Sequence, residues 1–253
     1  MNETKKTNLF LALGGFFIAN ALIAEFIGVK IFSLEKTFGF NPVNWKIFGY
    51  ELSFQMTAGV LLWPIVFIMT DIINEYFGTK GVRKLSYLAA GLIAYAFIMV
   101  SGAIGLTPAD FWLVKDLGNG INLDMNAAYN SIFGQGLWII IGSLVAFLVG
   151  QLVDVYVFHY VKKKTGEKAI WLRATGSTLI SQLIDSFVVL FIAFYIGAGW
   201  DIKLVLAICI INYIYKFTMA VVLTPLLYVA HAIIDRYLGK ELAEKMLKEA
   251  AAD

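Results

Sequence analysis

The stretch KLVLAICIINYIYKFTMAVVLTPLLYVAHAIIDR, residues 203–236, decides the fold. Between its charged ends it carries one charge, Lys216, in an otherwise apolar run. A bilayer's hydrocarbon core, ~30 Å thick, is crossed by about 20 apolar residues at ~1.5 Å rise each. The stretch therefore reads as a membrane-crossing helix. An ammonium at such depth costs about 2.5–3.5 kcal/mol on insertion scales, so Lys216 is expected to face a bundle interior with a partner. Asn212, one turn earlier, shares its helix face. Pro225 marks a kink, and His231 and Asp235 lie together at the inner end.

Five further apolar runs precede it, placing spans at about 8–33, 56–76, 83–106, 131–160 and 171–199. The whole chain is 60% hydrophobic and 15% charged, with mean hydropathy +0.76, which excludes a water-soluble domain. The expected architecture is a single all-α domain over residues 1–253, a six-helix transmembrane bundle in the cell inner membrane. Met1 to Thr7 is short and polar and shows no cleavable signal. Cys209 is the only cysteine, so neither an internal disulfide nor a multi-cysteine metal site is available. His159 and His231 lack a third ligand at metal-binding spacing. No cofactor is expected.

Basic residues set the orientation. With a cytoplasmic amino terminus and six spans, fourteen Lys and Arg fall inside, among them Lys162-Lys163-Lys164, against five outside. The positive-inside rule then puts both termini in the cytoplasm. The basic run reads as a stop-transfer flank rather than a nucleic-acid patch. The loop Leu34 to Gln55, with Gly39, Pro42 and Gly49 among aromatics, suggests a small hairpin over the outer mouth. The loop Thr107 to Asn130 suggests a short helix after Pro108. From Gly239 onward the tail reads as a solvated amphipathic helix end.

Polar residues at membrane depth form the candidate site. Asp71, Asn74 and Glu75 follow i, i+3, i+4 spacing, so they share a face of the second span. They serve either as an inner-end cap or as partners of a cation on another span. In the fifth span, Arg173, Ser177 and Ser181 lie along one stripe, and Gln182 and Asp185 along a neighbouring one. Asp185 falls near mid-membrane and needs a partner, for which Lys216 and Arg173 are the candidates. Glu25 in the first span is either a structural contact or a site residue. Gln151-Leu152-Val153-Asp154 in the fourth span echoes Gln182-Leu183-Ile184-Asp185 in the fifth. Such matching positions line one central site in transporters built from repeats.

These stretches resemble a known group. Thr70-Asp71-Ile72-Ile73-Asn74-Glu75-Tyr76-Phe77-Gly78, Gln151-Leu152-Val153-Asp154, Arg173 to Ser186 and Asn212-Tyr213-Ile214-Tyr215-Lys216 are similar to the queuosine-precursor transporters of the vitamin-uptake transporter family. The resemblance runs over nearly the whole chain. It implies six spans and uptake of a 7-deazaguanine base such as 7-cyano-7-deazaguanine. The residues suit that ligand. A carboxylate, Asp185 or Glu75, can accept from the ring N–H and the exocyclic amine. Gln182, Asn212 and Lys216 can serve the carbonyl side or neutralise the carboxylate. Aromatics such as Phe67, Tyr76, Tyr213, Tyr215 and Trp138 can stack on the ring.

The expected partners are this small deazapurine and the lipid bilayer, with no nucleic acid; a homo-oligomer is left open. The alternative is the substrate-binding subunit of an energy-coupling-factor importer, which needs an ATPase module in trans. The small-residue stripe Ala12, Ala19, Ala21 and Ala24 is where such a module would dock, although helix packing also explains it. The chain has no phosphate-binding loop of its own. An intramembrane enzyme is a third class, but no nucleophile stands beside a base in the sequence, so the chain is not read as an enzyme.

Overall fold

The structure, a computed structural model, describes residues 2–134, 137–165 and 170–251. The side chains of residues 137, 139, 140, 170–175, 178 and 251 lie outside that description. Five long apolar helices carry the fold of this multi-pass membrane protein: α1 (Asn2–Ile27), α3 (Trp63–Ile104), α5 (Leu137–Thr165), α6 (Ile170–Leu190) and α7 (Ile202–Leu238). Shorter pieces join them: α2 (Leu34–Thr37), α4 (Met125–Phe133) and α8 (Lys240–Ala251). The all-α expectation holds at membrane depth. The loops add three two-stranded antiparallel pairs, built from β1 (Ile31–Ser33) with β4 (Gln55–Thr57), β2 (Trp45–Ile47) with β3 (Tyr50–Leu52), and β5 (Val114–Asp116) with β6 (Asn122–Asp124).

At 42 residues α3 would be ~63 Å long if straight, about twice the hydrocarbon thickness. It is not straight. Gly78 has φ 68 and ψ −173, a conformation open essentially to glycine alone. The chain folds back there. The hydroxyls of Thr70 and Ser86 both reach Gln151 Oε1, at 2.8 and 3.4 Å. Sixteen residues apart on a straight helix, they would be separated by ~24 Å. The halves before and after Gly78 therefore lie side by side, where the sequence placed its second and third spans.

Small residues set the α5–α6 contact. A Cβ on Gly142 would meet the Val189 carbonyl oxygen at 3.0 Å, and one on Gly150 would meet Asp185 Cβ at 3.4 Å. Ala146, midway between these two glycines, is buried. The stripe lets two backbones approach closely, as small residues do between membrane helices. It brings Gly150 of α5 against Asp185 of α6, and Asp154 of α5 against Ser181 of α6.

Several boundaries differ from the sequence reading. The first helix ends at Ile27 rather than 33, because Gly28 closes it with bonds to the Ala24 and Glu25 carbonyls and the chain then pairs as β1. The loop after it does hold a hairpin. Phe48 and Gly49 both have positive φ (52 and 91), the two-residue turn that suits strand twist. In the Thr107–Asn130 loop a single 3₁₀ turn, Asp110–Trp112, stands where a helix was expected. The true helix there is α4, capped by Asp124, whose carboxylate accepts from Ala127 N–H. The fifth-span helix changes to π geometry over Phe191–Ile196, where Gly197 N–H bonds to Ile192. The tail is not a purely solvated extension. Gly239 (φ 85) breaks the chain, and α8 turns back to bury Leu242, Ala243 and Met246 in the main core.

Candidate functional site

A cavity of about 660 Å³ opens between α1, α6, α7 and the β1–β4 and β2–β3 pairs. That size lies within the ~300–1,000 Å³ of ordinary small-molecule sites. Its polar lining at membrane depth comes from separate helices: Glu25 on α1, Ser143 on α5, Asp185 and Ser186 on α6, and Asn212 and Lys216 on α7.

Lys216 Nζ donates to Asp185 Oδ2 at 2.5 Å, and both residues are buried. Of the two partners considered for Asp185, Lys216 is the one the fold supplies. Arg173's side chain lies outside the described residues. Asn212 gives one of its two amide N–H groups to the Ile208 carbonyl at 3.0 Å, which leaves the other N–H and the carbonyl oxygen for further bonding. Also in the lining, the Ser143 hydroxyl donates to Glu25 Oε1. Gly28 and Gly59 make room beside it, since a Cβ on Gly59 would approach Gly28 Cα to 3.4 Å. Trp63 lines one side, and Phe194 stacked on Trp200 (centroids 4.5 Å apart) lines another. Flat apolar walls with a few fixed polar groups suit a planar heteroaromatic ligand.

The other predicted residues gather deeper, away from the cavity lining. Asp71 Oδ1 faces the Ser177 hydroxyl at 3.5 Å, and the Ser181 hydroxyl donates to Asp154 Oδ1 at 3.1 Å. Asn74 Oδ1 meets His159 Nε2 at 2.9 Å, and Glu75 lies 3.6 Å from Lys162 Nζ. Tyr76 donates to Asp235 at 2.7 Å and lies 3.0 Å from His231 Nδ1. Asp71, Asn74 and Glu75 are thus not a cap in water. They are buried and bridge α3 to α5 and α6, and with Tyr76 they close the end of the bundle opposite the hairpins. Gln182 is 0% exposed, lies outside the cavity lining, and has neither amide end hydrogen-bonded among the described residues.

Sequence reasoning named Asp185, Lys216 and Asn212, which the fold brings together at the cavity. It also named Gln182, Asp71, Asn74, Glu75 and Ser177, which do not line it. It passed over Ser143, Ser186, Trp63, Phe194 and Trp200. The five aromatics it offered for stacking are likewise absent from the lining: Phe67 and Tyr76 are buried in the core, and Tyr213 packs on Phe217. A visible signal for Trp200 was its place beside Asp201, whose carboxylate caps α7 by accepting from Lys203 and Leu204 N–H.

Outside the membrane helices, Glu35 anchors the hairpin side. Its carboxylate accepts from Phe54 N–H at 2.8 Å and from the Ser33 hydroxyl at 3.2 Å. Burial pushes this carboxyl up, but the hydrogen bonds outweigh it and hold the group below its ordinary value.

Comparison with known proteins gives a consistent family picture. Residues 57–230 match the family model described as putative vitamin uptake transporter. The chain is 30% identical over 182 residues to a probable queuosine precursor transporter of Bacillus subtilis (strain 168), covering 70% of this chain and 72% of that protein. It is 25% identical over 203 residues to the queuosine precursor transporter of Escherichia coli (strain K12), covering 77% and 79%. A probable queuosine precursor transporter of Haemophilus influenzae (strain ATCC 51907 / DSM 11121 / KW20 / Rd) is 27% identical over 157 residues, covering 58% and 56%. No solved structure matches the chain.

Proposed function

The chain belongs to the vitamin uptake transporter family, and from that premise we propose that it carries a queuosine precursor across the bacterial inner membrane. The substrate in this reading is a 7-deazaguanine base such as 7-cyano-7-deazaguanine. The observation that carries the proposal is the cavity at membrane depth with the Asp185–Lys216 pair in its wall. Ionisable groups at that depth are kept where they serve a ligand or an ion path.

The family relatives' names supply the substrate class, and the cavity's chemistry agrees with it. Lys216 can donate to the base carbonyl while Asp185 keeps it in place. Trp63 and the Phe194–Trp200 stack can clasp the ring faces. A site that satisfies several fixed donors and acceptors of one base rejects a base that leaves them unpaired.

The proposed topology has six crossings, with the halves of α3 on either side of Gly78 counted separately and both termini cytoplasmic. Its support is the back-folding at Gly78 and the excess of Lys and Arg on one side. The hairpins then stand on the outer face and the cavity opens outward. The Asn74–His159, Glu75–Lys162 and Tyr76–Asp235 contacts close the inner face. Inward release requires these to part, which is alternating access around a fixed site.

Uptake of radiolabelled 7-cyano-7-deazaguanine by proteoliposomes holding this chain alone tests the proposal. Saturable uptake without added ATPase is expected, and it separates a self-sufficient carrier from a substrate-capturing subunit. If Asp185→Asn and Lys216→Ala both leave uptake at the wild-type rate, the site assignment is wrong.

A further inference from the structure

We infer that Gln182 is a contact the base makes during its passage inward, one turn beneath the outward cavity, and that it governs the rate of crossing rather than capture. The inference rests on the deazaguanine reading above and adds a residue that the cavity itself does not include.

One face of α6 is turned to the cavity. Asp185, Ser186, Val189, Leu190 and Ala193 line it, at the spacing of a single helical stripe. Three residues before Asp185 and four before Ser186, the same stripe continues to Gln182, ~4.5–6 Å further along the axis. Gln182 is absent from the lining and 0% exposed. Further along the helix in that direction, the Ser177 hydroxyl meets Asp71 below the cavity. Gln182 therefore stands on the cavity-facing stripe, between the chamber floor and the contacts beneath it.

Its amide is the second observation. Neither the oxygen nor the nitrogen has a hydrogen bond among the described residues. A buried amide in that condition costs free energy that a hydrocarbon side chain of the same length does not. Packing alone gives no reason for an amide there, whereas a partner that arrives during the transport cycle does. The end of a glutamine offers an N–H donor and a carbonyl acceptor side by side. A 7-deazaguanine offers the complement along one edge, its carbonyl O6 next to N1–H.

Ser186, one turn outward on the same stripe, lines the cavity, and its hydroxyl also has no hydrogen bond among the described residues. Asp185, between the two in sequence, is held by Lys216. A base moving inward along α6 passes from the Ser186 hydroxyl to the Gln182 amide without taking either partner from the ion pair. Gln182 is sealed while the chamber is open, so its bonds form only once the walls move. An interaction made in the crossing and absent from the outward complex changes the rate and leaves the affinity alone.

The test measures Vmax for 7-cyano-7-deazaguanine uptake by proteoliposomes holding the full chain, together with its equilibrium Kd for the purified protein. Gln182→Met keeps the length of the side chain and removes the amide. It is expected to lower Vmax about 10-fold or more while Kd stays within about 3-fold. Gln182→Asn keeps the amide and loses one methylene, so its Vmax should lie between those of the wild type and Gln182→Met. A purely structural role gives the reverse order, because Asn leaves a void that Met does not.

A Gln182→Met variant with wild-type Vmax overturns the inference, as does one that is altered in Kd alone. Gln182→Asn slower than Gln182→Met also overturns it and leaves a packing role. A wild type that does not bind the base removes the deazaguanine reading itself. If Gln182→Met does not fold, as judged by thermal unfolding in detergent, Gln182→Asn decides: an unchanged Vmax there rejects the inference.

Discussion

Gln151-Leu152-Val153-Asp154 on α5 and Gln182-Leu183-Ile184-Asp185 on α6 are nearly the same four residues, and the fold gives them opposite settings. The α5 copy is closed. Gln151 Oε1 accepts from two hydroxyls, Thr70 and Ser86, and Asp154 accepts from Ser181. Asp154 is 0% exposed and is not part of the chamber's lining. The α6 copy is open. Asp185 is balanced by Lys216 in a cavity wall, while Gln182 has neither amide end hydrogen-bonded among the described residues. One copy is held by neutral hydrogen bonds within the protein and the other by an ion pair beside a chamber. A repeated motif therefore identifies a packing register. Its chemistry is assigned by what the neighbouring helices bring to it.

The largest effect should come from unbalancing the open copy. Lys216→Met leaves Asp185 buried without a counter-charge and should cost about 3–5 kcal/mol, read as a drop in thermal unfolding temperature in detergent. Adding Asp185→Asn should restore most of that stability while uptake stays lost. A double variant as unstable as the single one would mean that the pair is not the balancing element.

The closed copy should respond next. Gln151→Met removes the acceptor of two buried hydroxyls and should cost about 1–3 kcal/mol. Gly78→Val should cost a similar ~1–3 kcal/mol, because a β-branched residue at φ 68 is strained and the turn sets Thr70 and Ser86 around that glutamine. Thermal unfolding of each measures this, and a neutral Gly78→Val would show that the backbone there relaxes.

Gln182→Met is the sharpest contrast. Replacing a buried amide that has no hydrogen bond among the described residues should leave stability within about 0.5 kcal/mol or raise it. A loss above about 1 kcal/mol, as large as that of Gln151→Met, would erase the difference between the copies.

The smallest effect concerns the hairpins that wall the open copy. Glu35's carboxyl lies below its ordinary value in the folded protein, so its contribution is full above the ordinary carboxylate range. It is lost as pH falls through the folded value. Limited proteolysis within residues 34–55 should therefore speed up on acidification, and Glu35→Gln should flatten that dependence.

Much of this was legible in the chain. Apolar runs announced the crossing helices, and the cost of Lys216 demanded Asp185 or its like. The i, i+3, i+4 spacing of Asp71, Asn74 and Glu75 did mark a shared buried face, but spacing carries no depth. Whether that face met the chamber depended on the back-folding at Gly78 and on the Gly142–Ala146–Gly150 stripe. Glu25 was visible as a carboxylate in a greasy run. Its contact with Ser143, 118 positions away, became readable only from the fold. Trp63, Phe194 and Trp200 were hidden for another reason: aromatics are common here, and only tertiary geometry separates core rings from lining ones.

The π segment Phe191–Ile196 holds one residue more than an ordinary helical turn of that rise would contain. The segment winds against Gly142 of α5, where an added Cβ would meet Ile192 Cβ at 3.3 Å, and an α register there would bond each N–H to the fourth rather than the fifth neighbour. The α register would turn the exit toward Trp200 by about 100° and slide it by about 1.5 Å. Phe194 sits in that segment and Trp200 N–H bonds back to its carbonyl at 2.9 Å, so the winding of the segment sets the aromatic side of the chamber, while Asp185, earlier in the same helix, is set by Lys216.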